Sequence, residues 1–248
     1  MTDPLKLLLL VGVGVAAGFL NVFAGGGSTL VLPTLIFMGL DATVANGTNR
    51  VAIVLQTIAA VLSFHNEGHS DVKRSLTLGA WTMPGAIAGA VVAQRVGGAL
   101  FERILGLVMI GVVLSMFASP ASRPPAPGGG SRSWLVYPAM FALGFYGGFI
   151  QVGIGFALMA ALFHLEGASL VRVNMHKVFI VLVYTLPALA VFAWSGHVDW
   201  TIGLLLGCSN ACGSWWGARL AVRRGDRLIR YLLVVAIVIM ALKLFGLF

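Results

Sequence analysis

The chain has 248 residues, of which 59% are hydrophobic and only 10% charged, against about 25% charged in an ordinary soluble domain. A surface that apolar cannot face water, which excludes a soluble globular protein. The net charge of +8 does not point to nucleic acid, because most basic residues sit in short connections between apolar runs, where membrane topology accounts for them.

Apolar runs near or above the length of a membrane span follow one another along the chain: 5–24, 42–64, 76–94, 100–118, 134–163, 178–195, 200–218 and 228–248. Roughly 20 helical residues cross a bilayer, so the expected fold is an all-α polytopic membrane protein. The N-terminal stretch MTDPLKLLLLVGVGVAAGF has the outline of a signal peptide. An equivalent segment in mid-chain argues against that reading.

Within the first run, GFLNVFAGGGSTLVLPTLIF breaks at Gly25, Gly26 and Gly27, passes Ser28 and Thr29, and turns apolar again. The second arm, about 29–38, covers only about half a bilayer at 1.5 Å per residue. The pattern predicts a broken hairpin. Non-helical backbone at membrane depth is tolerated where it is buried in protein or lines a cavity. A half-helix starting at Ser28 would aim its free N–H groups and positive dipole end at the break, an anion-binding arrangement.

The next run opens with Asp41, a plausible N-cap, and reaches Asn46-Gly47-Thr48-Asn49-Arg50. Arg50 then lies about 12 Å along the helix. Residues 119–133, SPASRPPAPGGGSRS, form a Pro-, Gly- and Ser-rich linker. The expected organisation is a first transmembrane repeat over 1–118, the linker over 119–133 and a second repeat over 134–248.

The two sides of the linker resemble each other. Gly18-Phe19 matches Gly144-Phe145, and residues 49–55 match 176–182. Gly79, Gly85 and Gly89 match Gly207, Gly213 and Gly217. The second half has its own break near Gln151, Gly153 and Gly155, and its cation, Lys177, aligns with Arg50. His176 precedes Lys177 as Asn49 precedes Arg50, and is the one site residue that could titrate near neutral pH. Setting Arg50 and Lys177 aside, four simple spans per half divide the remaining basic residues eight to six. Broken hairpins that return to their own side give ten to four, with Lys73, Arg74, Arg123, Arg132, Arg172 and the arginines at 219, 223, 224, 227 and 230 on the cytoplasmic side. The bias favours two inverted repeats, each a glycine-broken hairpin plus three further spans, with both termini outside the cytoplasm. Inverted repeats with broken helices are the architecture of secondary transporters.

A charge at this depth costs at least about 2.5–3.5 kcal/mol. No acidic residue within the spans neutralises Arg50 or Lys177, so the expected partner is an anion brought from outside. The candidate substrate-binding set is Gly25, Gly26, Gly27, Ser28, Thr29, Asn49, Arg50, Gln151, Gly153, Gly155, His176 and Lys177. Asn21, Gln56, Tyr184 and Asn210 are further lone polar residues in spans. Cys208 and Cys212, four apart on one helix face, are expected to be packing residues without a disulfide. Gly207-Cys208-Ser209-Asn210 has the outline of a serine elbow, but no base follows Ser209. No metal-ligand spacing and no cofactor motif is present.

The hairpin GFLNVFAGGGSTLVLPTL, the stretch ATVANGTNRVAIVLQTIAAVLSF and the second copies GFYGGFIQVGIGFALMAAL and ASLVRVNMHKVFIVL resemble the TauE/SafE sulfite exporter family over about 5–118 and 134–248. The resemblance implies a bacterial inner-membrane secondary transporter for a small sulfur-containing anion, such as sulfite, sulfoacetate or another organosulfonate. Export coupled to an ion gradient is implied, without ATP, by rocking of one repeat against the other. An anion channel, or an uptake permease for thiosulfate or carboxylates, is the alternative, and an intramembrane serine hydrolase a remote one. The expected partners are the small anionic substrate and the lipid bilayer, with a homodimer as a possible assembly and no nucleic acid.

Overall fold

The computed structural model describes residues 4–23, 25–96, 98–118, 133–166 and 169–244. The expected linker, with Arg123 and Arg132, lies outside the described residues except for Ser133. Among the described residues the secondary structure is helical, with no strand: α1 (Pro4–Phe23), α2 (Ser28–Phe37), α3 (Ala42–Asn66), α4 (Val72–Arg95), α5 (Gly98–Ala118), α6 (Val136–Phe149), α7 (Ile154–Glu166), α8 (Leu170–Trp194) and α9 (Trp200–Leu244). α3, α4 and α8 are long and apolar enough to cross a membrane.

The helix starts are written locally. Asp41 accepts hydrogen bonds from the Thr43 and Val44 amides at the head of α3. Asp71 accepts from Arg74 N at the head of α4, and Ser169 from Arg172 N at the head of α8. Each cap satisfies a donor that the first helical turn leaves open.

Two short helices, α2 and α7, follow the two breaks. α2 has 10 residues and α7 has 13. At 1.5 Å per residue they reach about 15 and 20 Å, short of the roughly 30 Å core of a bilayer. Each break holds one glycine in the left-handed region, Gly25 and Gly153, both at φ 72°, a conformation that costs a side-chain-bearing residue free energy.

The contacts between long helices come in matched pairs, and each pair joins the two sides of the linker. α1 lies along α9, and α6 lies along α4. α3 also lies along α9, and α8 along α4. Small residues set these approaches. A Cβ on Gly213 would fall 2.0 Å from Val15 O, and one on Gly85 would fall 2.2 Å from Phe141 O. One on Gly18 would fall 2.1 Å from Asn210 O, and one on Gly144 would fall 2.1 Å from Thr82 O.

The order of these contacts fixes direction. Val15 then Phe19 meet Gly213 then Gly217, so α1 and α9 run the same way. Val51 and Leu55 meet Gly203 and Gly207, so α3 runs with them. On the other side, Phe141 and Phe145 meet Gly85 and Gly89, while Ser75, Gly79 and Gln94 meet His176, Val183 and Ser195. Thus α4, α6 and α8 form a second parallel set. Gly47 near the start of α3 meets Phe192 near the end of α8, so the two sets run in opposite directions.

Large apolar side chains cover the outside. Leu8, Phe37, Leu107, Trp134, Trp194 and Trp216 are all well exposed, as lipid contact requires. Cys208 and Cys212 belong to this outer face and are free thiols. The expected packing role for them is therefore corrected: the side of α9 that packs is the one carrying Gly207 and Gly213.

A second correction concerns the end of the chain. The apolar runs 200–218 and 228–248 were expected as two spans around a basic connection. The structure carries α9 through both, 45 residues without a break. Arginine and leucine are strong helix formers, no proline intervenes, and Gly225 alone does not stop a helix. An uninterrupted helix does not reverse, so the described chain does not return its C-terminal end to the side where Trp200 begins.

Gly89→Leu places a side chain where a Cβ already falls 2.1 Å from Phe145 O. It should destabilise the protein by at least about 1–3 kcal/mol. Gly106→Leu, with nothing within 4 Å, should stay within about 0.5 kcal/mol of wild type. Asp41→Ala should cost about 0.5–2 kcal/mol through its lost cap. Thermal unfolding of the detergent-solubilised protein measures all three.

Candidate functional site

The two breaks meet at the centre of the molecule. A Cβ on Gly25 would fall 2.2 Å from the Gly155 Cα, and the reverse contact is equally close. Beside this crossing lies a cavity of about 20 Å³, room for about one water. Ser28, Gln151, Gly155 and Lys177 from the predicted set line it. Asn21, Gln56, Thr57 and Ser214 complete its polar wall, and Val22, Ala60, Ile154, Val178 and Val181 its apolar one.

Lys177 is 2% exposed. Its ammonium donates to Asn21 O at 3.0 Å and Val22 O at 2.6 Å, and lies 3.7 Å from the Met159 sulfur. Those carbonyls belong to the last turn of α1, at the break, where Asn21 O also accepts from Gly25 N at 2.9 Å. Lys177 thus caps a helix C-terminus, the negative end of its dipole.

Arg50, fully buried, does the same for α6. Its Nη1 donates to Gly147 O at 3.2 Å and to Gln151 Oε1 at 3.1 Å, and its Nη2 donates to Gly148 O. The guanidinium also lies over the Phe192 ring, 4.6 Å from its centroid. Gln151 passes the network on, donating to Tyr184 Oη at 3.0 Å and Thr185 Oγ1 at 3.4 Å.

These contacts supply partners that the sequence does not show. Each cation is matched to backbone carbonyls at the broken end of a hairpin arm from the other side of the linker. The sequence shows no acidic partner because the partner is main chain. Only Lys177 also faces the cavity. Arg50 lies outside its lining.

The remaining predicted residues shape the breaks. Gly26 packs against the Phe156 ring, and Gly27 against Ala17 O of α1. Thr29 Oγ1 donates back to Gly26 O at 2.5 Å. Asn49 stands behind the cavity and donates to Ser28 Oγ at 3.2 Å. Because that oxygen accepts from Asn49, the Ser28 hydroxyl keeps its own proton to donate. Gly153 supplies the left-handed turn before α7. His176 Nδ1 lies 2.8 Å from Ser75 Oγ of α4 and does not line the cavity. Tyr146 closes the second break by donating to Val152 O at 2.5 Å.

Thr57 and Ser214 escaped the sequence reading. A lone hydroxyl in a membrane helix commonly bonds to its own backbone, as Thr57 Oγ1 does to Ile53 O at 2.7 Å. The one available signal for Ser214 was its place beside Gly213, which the internal match had marked. Asn210 and Gln56 meet each other at 3.1 Å, bonding between α9 and α3. Ser209 donates to Leu205 O one turn back in its own helix at 2.9 Å, which leaves no nucleophile arrangement around it.

Comparison with known chains places the protein among membrane transporters. Residues 10–244 match the family model described as "Sulfite exporter TauE/SafE". A Sinorhizobium protein named "Probable membrane transporter protein ORF9" is 29% identical, over 92% of this chain and 88% of its own length. The Escherichia coli K12 protein named "Probable membrane transporter protein YfcA" is 29% identical, over 98% of this chain and 91% of its own. A Haemophilus influenzae protein named "Probable membrane transporter protein" is 25% identical, over 96% and 94%. No solved structure matches the chain. The family is one of membrane transporters and not of enzymes, and this chain, matched over nearly its whole length, belongs to the TauE/SafE family.

Proposed function

We propose that the chain is a secondary transporter that moves a small sulfur-containing anion, sulfite or an organosulfonate, out across the bacterial inner membrane at the expense of an ion gradient. The observation that carries this reading is the shared cavity. Lys177, Ser28 at the head of a half-helix, Asn21 and Gln151 all line one small cavity beside the two breaks. Oxyanions need charge and directed donors out of water.

The halves 1–118 and 134–248 are inverted repeats in this reading. What supports it is helix direction: α1, α3 and the start of α9 run one way, while α6, α8 and α4, their sequence counterparts, run the other. Orientation follows from charge. Glu67, after α3, pairs with Arg219 at 3.0 Å and Arg223 at 3.4 Å of α9. Lys73, Arg74 and Arg172 open α4 and α8 at this same end. Asp41 and Asp199 mark the opposite end, where Asp199 N donates to Thr48 Oγ1. The basic end is cytoplasmic, and α1 enters from outside.

The interlocked packing also changes which bodies move. α1 and α3 are both held by α9, and α6 and α8 by α4. Alternating access is then motion of one interleaved set against the other, with Gly25 and Gly155 parting as the cavity widens to admit an anion larger than a water.

Labelled sulfite flux in proteoliposomes, with and without an imposed pH gradient, tests the reading. Wild type should show saturable, gradient-dependent flux. Lys177→Gln should lose one charge-assisted contact of about 1.5–3 kcal/mol, a roughly ten- to hundredfold fall in apparent affinity. Unchanged flux in folded Lys177→Gln would remove the cavity as the site. Linear, non-saturating flux would indicate a channel instead.

A further inference from the structure

The two buried cations are mounted alike but surrounded differently. Lys177 sits on Asn21 O and Val22 O, and Arg50 on Gly147 O and Gly148 O. The internal match of Asn49-Arg50 with His176-Lys177 continues along both helices. It pairs Gln56 with Val183 and Thr57 with Tyr184. The match of Gly18 with Gly144 pairs Asn21 with Gly147, and that of Gly85 with Gly213 pairs Ala86 with Ser214.

Four polar residues of that cavity wall, Asn21, Gln56, Thr57 and Ser214, thus have apolar or space-filling counterparts in the other half: Gly147, Val183, Tyr184 and Ala86. Tyr184 is the consequential one. It is fully buried. A Cβ added to Gly147 would lie 2.8 Å from its hydroxyl oxygen. That oxygen accepts from Gln151 Nε2 at 3.0 Å, and Gln151 Oε1 in turn accepts from Arg50 at 3.1 Å. The phenol fills the volume over the end of α6 that, over the end of α1, is the cavity beside Asn21. An anion would meet a filled space there, and burying charge without donors is costly.

We infer that each chain holds a single anion, at Lys177, and that Tyr184 sets this number by plugging the matching half-site at Arg50. Arg50 is then a positioning residue that fixes the α6–α7 break and does not touch the substrate. This rests on the transport reading above and names which half of the duplicated site is used.

Equilibrium binding of labelled sulfite to the purified full chain in detergent tests it. At a sulfite concentration about tenfold above the wild-type Kd, wild type should bind close to one sulfite per chain and Lys177→Gln, weakened about ten- to hundredfold, about half of that or less. Tyr184→Thr, which copies Thr57, should bind two. Tyr184→Phe, which keeps the ring, should bind one. Two sulfites in wild type, or one retained in Lys177→Gln, would overturn the inference. So would a folded Tyr184→Thr protein that binds only one. If Tyr184→Thr does not fold, the wild-type and Lys177→Gln counts decide. Failure of wild type to bind sulfite overturns the transport reading and this inference together. A wild-type count of one with no gain in Tyr184→Thr overturns this inference alone.

Discussion

A helix that stops inside a membrane leaves its last carbonyls without partners and without water. That constraint organises this protein. α1 and α6 both stop at buried breaks, and each end is met by a cation from a helix on the other side of the linker: Lys177 for α1, Arg50 for α6. Two features that would each be costly alone, a buried positive charge and a set of open carbonyls, offset one another. The exchange is reciprocal, so neither hairpin is held by its own half. It also brings the tips together, where only glycine allows the contact between residues 25 and 155.

In the transport reading proposed here, function sits on the difference between the two ends. Were the halves identical, both cations would face equivalent surroundings. Instead hydroxyl and amide side chains gather around Lys177, while around Arg50 the space is taken by Gln151 and Tyr184. One end is a surface that a ligand could use, and the other is a joint. The two ends share one way of holding a cation and differ in the side chains packed around it.

What could be read from the chain was what depends on neighbours in sequence. Asp41 as a cap, the breaks at Gly25–Gly27 and near Gln151–Gly155, the position of Arg50 and Lys177 along their helices and the internal match all follow from local pattern; the structure shows the cap, a break in each region and both cations buried. The partners of the cations could not be read, because backbone carbonyls are present at every position. Only the crossing of helices shows which ones are open. The same holds for Thr57 and Ser214, ordinary residues until α3 and α9 are seen to share a wall with Lys177. Cys208 and Cys212 were placed on one face correctly, but which face meets lipid depends on where α1 and α3 lie. The long α9 defeated the reading by hydropathy, since a basic stretch that breaks an apolar run need not break a helix.

The interleaved packing also bears on how the molecule is made. α4 finds its partners in α6 and α8, and both α1 and α3 find theirs in α9. Until the ribosome has delivered the second half, the first has none of its large interfaces. Its helices can enter the bilayer one by one, but Arg50 and the open end of α1 must wait in the membrane without their counterparts. Assembly is therefore completed only at the end of synthesis. A chain truncated before α9 would leave both α1 and α3 without the helix they pack against.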